Sequence, residues 1–179
     1  DEDPKVFFGR ESLTNQLLDQ VRTSHFMALV GASGNGKSSV LRAGLLHQIR
    51  LGRRIAGSEQ WQILMMRPDA QPMKNLATVI WPAEGSQLDR AEALGKAEGL
   101  LKEGGAGLAR LIAAAPAPRV VLVVDQFEEL FTQAEPQSRR QMLDLLLYAV
   151  RNPQGRVQVI FTMRADFFAS SSALLPRPG

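Results

Sequence analysis

The chain has 179 residues, 45% apolar and 22% charged, and a formal net charge of +3, which suits one globular domain with a sizeable core. It has no cysteine, and its two histidines, His25 and His47, stand well apart. That leaves no disulfide framework or thiolate metal site and argues against a histidine-rich one. No apolar run approaches a membrane span and no signal peptide opens the chain, so a cytoplasmic location without membrane contact is expected.

The start, Asp1-Glu2-Asp3-Pro4, lacks a Met and suggests a piece excised from a longer protein. Val6-Phe7-Phe8-Gly9-Arg10-Glu11 reads as a short apolar segment ending in a glycine turn, and a helix follows with Leu13, Leu17 and Val21 on one face. The apolar run 26–30 is a strand. It leads into Gly31-Ala32-Ser33-Gly34-Asn35-Gly36-Lys37-Ser38 and then a helical pattern over 39–50, with Leu41, Leu45 and Ile49 aligned. Strand, glycine loop and helix together make a phosphate-binding loop. Its glycines let backbone N–H groups turn inward at phosphate oxygens where a Cβ would obstruct. The helix start adds partial positive charge. Lys37 supplies a full charge to the β- and γ-phosphates, and the Ser38 hydroxyl ligates Mg²⁺. A dinucleotide fingerprint fails, because Ser39 stands where Gly or Ala is needed.

Residues 61–66 read as a second strand, stopped by Arg67-Pro68-Asp69, with a short helix over 72–80. The stretch 82–118 carries little signal. It reads as an insertion within a single 1–179 domain, helical over 88–101 and 108–114, with a flexible hinge at 103–107. Residues 119–125 form the clearest strand, uninterrupted and β-branched, as a central parallel strand covered on both faces requires. Pro136 opens a helix that buries Met142, Leu145, Leu146 and Ala149. A turn at 152–155, a fourth strand at 157–162 and a last helix at 165–175 complete the chain. The alternation predicts an α/β fold of three layers, α/β/α, around a mainly parallel sheet. No fifth strand appears before the chain stops, so the core reads as truncated before its last strand.

Asp125 sits where the central strand emerges, the ligand edge of an open α/β sheet. An aspartate there holds Mg²⁺ through water while Ser38 holds it directly. Glu128 and Glu129 follow, and either could orient the water that attacks the γ-phosphate. Spacing does not choose between them. Arg164, beyond Thr162, takes the equivalent place on the fourth strand and could tell triphosphate from diphosphate; the alternative is a pairing with Asp166. The arginine clusters at 50–54 and 139–140 have no interleaved aromatics, so they read as solvated surface and nucleic acid is not the expected partner.

Phe8-Gly9-Arg10-Glu11, the phosphate loop, Val123-Val124-Asp125-Gln126-Phe127-Glu128-Glu129-Leu130-Phe131 and Thr162-Met163-Arg164-Ala165-Asp166-Phe167 occur in this order. Together they resemble the nucleotide-binding domain of STAND-class signalling ATPases, most of all the bacterial novel STAND branch often fused to β-propeller repeats. The resemblance implies that Gly9, Arg10 and Glu11 lie against adenine and ribose. It makes 31–38 the Walker A motif, with Ser39 beside it at the nucleotide, and Asp125 the Walker B aspartate. Glu128 and Glu129 fall where related NACHT domains carry an acidic pair, and Arg164 becomes the sensor. It implies an ATP/ADP switch with Mg²⁺ and slow hydrolysis, forming homo-oligomers when opened by ATP. Winged-helix, sensor-repeat and effector regions would be partners within the full-length protein. Two rivals are an AAA+ ATPase acting on nucleic acid and a scaffold that binds nucleotide without hydrolysing it.

Overall fold

The computed structural model describes the backbone of residues 4–82, 85–152 and 156–171, and side chains within 12–82, 85–152 and 156–168. Helix α1, Pro4–Thr23, opens the chain. Gly9, the expected turn, lies inside it. A lone glycine costs a helix interior only about 1 kcal/mol, and no proline follows to stop the run. Leu17 and Val21 of the predicted face are buried, while Leu13 remains 41% exposed.

Strand β1, Phe26–Gly31, runs into the phosphate loop and helix α2, Lys37–Ser39. The helix continues as a π-helical segment, Val40–Leu46, and as α3, His47–Leu51. The expected face Leu41, Leu45 and Ile49 is fully buried, and the wider π turn brings Leu46 in beside Leu45. Gly52 ends the helix in the left-handed region, φ 66°. Strand β2, Gln62–Met66, and helix α4, Pro72–Ile80, follow.

Helix α5, Gln87–Lys102, begins at a capping box in which Ser86 and Asp89 bond reciprocally. Helix α6, Gly105–Ala114, follows at once. The expected flexible hinge is therefore only a tight break at Glu103-Gly104. Gly107 belongs to α6 and sits so close to α5 that a Cβ would collide with the Leu100 carbonyl. The glycines serve helix–helix approach instead of flexibility.

Strand β3, Val120–Val124, is buried at every position. The short helix α7, Glu129–Thr132, helix α8, Pro136–Arg151, strand β4, Val157–Arg164, and helix α9, Ala165–Ser171, complete the described chain. The expected turn at 152–155 and the end of the last helix fall largely outside the described residues. β4 extends two residues past its expected end, so Arg164 is its last residue and not a loop residue.

The four strands are all parallel in the order β1-β4-β3-β2. Each strand has two faces of opposite allegiance, because its side chains alternate. Val120, Leu122 and Val124 of β3 join α4, α5, α6 and α8 in one apolar cluster. Val121 and Val123 join α1, the π segment and α3 in the other. The result is the expected three-layer α/β/α arrangement. It places the C-terminal ends of β1, β4 and β3 side by side, because Gly31 pairs with Arg164, and Val124 with Phe161.

Candidate functional site

The phosphate loop leaves β1 at Gly31. Gly34 and Gly36 take positive φ, 80° and 70°, which a residue with a Cβ would adopt only under strain. Gly36 caps α2 and accepts the first helical hydrogen bond, from the Val40 N–H at 2.9 Å. Lys37 folds back over its own loop: its Nζ donates to the carbonyls of Gly31 and Ala32, each at 2.7 Å. A Cβ on Gly31 would press on the Lys37 stem at 3.4 Å. The lysine thus lies along the loop with its charge on carbonyl oxygens, which phosphate oxygens can replace.

At the end of β3, with β4 between it and the strand that carries the loop, Asp125 is 1% exposed. Its Oδ1 accepts from Ser38 Oγ at 2.9 Å and from Thr162 Oγ1 at 2.6 Å. Its Oδ2 accepts from Arg42 Nη2 at 3.1 Å. Burial alone would push this carboxyl up. The Thr162 and Ser38 hydroxyls and the charges of Arg42 and Arg67 outweigh it and hold Asp125 below the ordinary aspartate range. Thr162 also ties down the chain beyond β3, since its Oγ1 accepts from the Gln126 N–H at 2.9 Å and its carbonyl from the Phe127 N–H at 2.9 Å. Gln126 has φ 57°. That left-handed residue turns the backbone sharply enough to start α7 against the site.

The two glutamates of this turn live in different surroundings. Glu128 has one oxygen, Oε2, that is buried and without a hydrogen-bond partner among the described residues. Glu129 is turned toward the loop after β2. Burial raises its carboxyl above the ordinary glutamate range, against the pull of Arg67 and a hydrogen bond from the Asp69 N–H; the charges of Asp69 and Glu128 add to the rise. Asp69 itself has φ 52°. Arg164 pairs with Asp166, Nη2 to Oδ2 at 2.6 Å and Nε to Oδ1 at 3.1 Å. Both side chains of that pair are at least half exposed.

These groups face a common cavity of about 620 Å³, lined by Ser33, Gly34, Gly36, Lys37, Ser38 and Ser39 from the phosphate loop, and by Glu128, Glu129, Thr162 and Arg164 across from it. That is ample for the polyphosphate end of a nucleotide. Gly31, Asn35 and again Lys37 line a neighbouring cavity of about 380 Å³ that runs along α1, beside Gln16 and Gln20. The side chains of Arg10 and Glu11 lie outside the described residues, so the expected contact of Gly9, Arg10 and Glu11 with adenine falls outside what the structure describes. Oxygen donors such as the Ser38 hydroxyl and the Asp125 carboxylate suit a hard cation. Among the described residues no group of three or more His, Cys, Asp or Glu could hold a metal. Any Mg²⁺ here would complete its shell with phosphate and water.

Two residues that the sequence reading passes over belong to this network, Arg42 and Arg67. Arg42 carried a signal, because it lies four residues beyond Ser38 and helix neighbours at that spacing share a face. Arg67 carried none, since its relation to Asp125 and Glu129 depends on β2 lying beside β3. No helix among the described residues is long and apolar enough to cross a membrane.

Comparison with solved structures gives two matches of TM-score 0.52. One is the Walker-type ATPase paby2304 of Pyrococcus abyssi, at 14% identity, covering 91% of this chain and 47% of that one. The other is the Aeropyrum pernix ORC2 protein in ADPNP–ADP complexes, at 12% identity, covering 94% of this chain and 44% of that one. At such identities the likeness shows the fold alone, and the chain spans less than half of either structure's length. No curated protein sequence matches the chain. The model of the novel STAND NTPase 1 family matches residues 1–177, and the chain belongs to that family.

Proposed function

We propose that this chain is the ATP- and ADP-binding switch core of a STAND-type signalling ATPase, with slow Mg²⁺-dependent hydrolysis. The observation that carries the reading is the convergence of Lys37, Ser38, Asp125, Glu128 and Arg164 on the C-terminal edge of three adjacent parallel strands. The phosphates lie on the loop 31–38, with Lys37 exchanging its two carbonyl partners for the β- and γ-phosphates. Mg²⁺, held by Ser38 directly and by Asp125 through water, would neutralise phosphate charge when bound. The base extends along α1, past Gln16 and Gln20, toward Gly9, Arg10 and Glu11.

Glu128 is the better candidate to orient the attacking water, because it lines the cavity and its Oε2 has no hydrogen-bond partner among the described residues. Glu129 is turned toward the loop after β2, on the side of Arg67 and Asp69, so it serves to hold the turn. Arg164 reads the γ-phosphate, and its exposed pairing with Asp166 is weak enough to be exchanged. Among the described residues, Lys37 and Arg164 are the cations that line the phosphate-facing cavity, which fits slow hydrolysis; an arginine supplied by another subunit or domain can be worth ~10³–10⁵ in rate. In the full-length protein, ADP holds a closed state, and its exchange for ATP opens and assembles the protein through its other domains. Titration of labelled ADP into wild type and Lys37→Ala tests the site. Binding should be lost in the variant, and equal affinities would overturn the assignment.

A further inference from the structure

We propose that Arg42 is an exchangeable counter-ion of Asp125: it holds the carboxylate while the site is metal-free and gives it up when Mg²⁺-nucleotide is bound. The inference rests on the nucleotide reading above and adds to it a residue with its own measurable effect. Asp125 is 1% exposed, and among the described residues only Arg42 reaches its Oδ2, at 3.1 Å. A buried carboxylate without a counter-charge is strongly disfavoured; Arg67 contributes charge from further off, and in the metal-free protein the Arg42 guanidinium is the counter-charge in direct contact. Ser38 and Arg42 engage the two different oxygens of this one carboxylate. A divalent cation held at Ser38 and Asp125 would therefore put two like charges on opposite sides of a single anion, close enough to repel.

Three features make Arg42 the partner that yields. Its side chain is 53% exposed, so the guanidinium reaches water by a small swing and pays little desolvation. Its pair with Asp125 is its one hydrogen-bonded contact among the described residues, so nothing else holds it. It does not line the phosphate-facing cavity, so it approaches Asp125 from another side and has no phosphate to stay for. Arg42 also lies within the π-helical segment Val40–Leu46, a local winding common at functional sites. Arginine suits the role better than lysine, since its planar donors match a carboxylate edge without requiring deep burial.

The test is calorimetric titration of ADP, in chelator and across a Mg²⁺ series, for wild type, Arg42→Ala and Arg42→Gln. The glutamine variant keeps a stem and an amide donor without charge, and serves if the alanine variant folds poorly. Nucleotide affinity in chelator should be little changed, whereas the Mg²⁺ concentration giving half the metal-dependent gain in affinity should fall about two- to fivefold in both variants, the scale of an ion pair with one partner exposed. Melting in chelator should be earlier in Arg42→Ala, and Mg²⁺-ADP should recover more of the loss than it adds to wild type. A metal dependence that is unchanged or weakened in the variants, with wild type binding normally, overturns this inference alone. Wild-type protein that binds no nucleotide in either condition overturns the reading of the site and this inference with it.

Discussion

The two interior strands, β3 and β4, end at the same edge and deliver their charged residues in opposite ways. β3 delivers Asp125, buried and fixed by Ser38, Thr162 and Arg42. β4 delivers Arg164 into the open, half exposed and paired with the still more exposed Asp166 two residues on. The first arrangement is rigid before any ligand arrives, as a metal-side anchor needs to be. The second is adjustable, as a group that answers to the presence of one phosphate needs to be. A switch needs both, because an edge fixed throughout could not report which nucleotide is bound.

The largest effects should come from the turn that joins the two halves. Glu128→Gln should slow single-turnover ATP hydrolysis by ~10²–10⁴-fold while leaving ADP affinity nearly intact. Glu129→Gln should slow it far less. Equal effects from the two, read by phosphate release, would erase the distinction drawn from their surroundings.

Next in size is the fixed half. Asp125→Ala leaves Ser38, Thr162 and Arg42 without their acceptor and, chiefly through the buried Thr162 hydroxyl, should lower unfolding stability by about 2 kcal/mol, measured in urea. Arg164→Ala should leave the urea midpoint where it was and instead reduce the preference for an ATP analogue over ADP, about tenfold if a charged hydrogen bond to the γ-phosphate is lost. A large stability loss at Arg164, or none at Asp125, would reverse the comparison.

The smallest effects are in pH dependence. Asp125 is held low in the folded protein, so its contribution is present above the ordinary aspartate value of 3.8 and is lost as pH falls through the lower folded value. Glu129 is held high, so the folded state binds its proton more tightly, and stability falls as pH rises from the ordinary 4.5 through the raised value. Glu129→Gln should remove that second slope and leave the protein at pH 7 as stable as wild type or more so. Urea midpoints at pH 4, 5 and 7 check the sign.

Much of this was legible in the sequence because it is local. The uniform apolar run of β3 announces a strand covered on both faces, and the glycines at 34 and 36 announce a backbone that needs positive φ. The spacing of Leu41, Leu45 and Ile49 marks a buried helix face, which holds even though the winding becomes π. What resisted was relational. Period-2 alternation says which faces of a strand are buried but not which strand lies beside it, so the order β1-β4-β3-β2 was not available. The same gap hid the difference between Glu128 and Glu129, because the burial of Glu129 and its nearness to Asp69 and Arg67, some sixty residues earlier, both depend on how the strands are ordered. Gly107 misled because glycine signals both turns and close approach, and only packing decides between them; Gly9 misled because a helix tolerates a lone glycine.

The central claim, a switch that holds its nucleotide and turns over slowly, is tested most directly by single-turnover hydrolysis. Stoichiometric Mg²⁺-ATP would be mixed with the chain, and ADP formed, ADP released and light scattering would be followed together. The account predicts slow conversion, retained ADP and a largely monomeric chain, because among the described residues only Lys37 and Arg164 bring positive charge to the phosphate-facing cavity. Rapid release at a rate near the enzyme median of ~10 s⁻¹, or a stable ring formed by this chain alone, would contradict it.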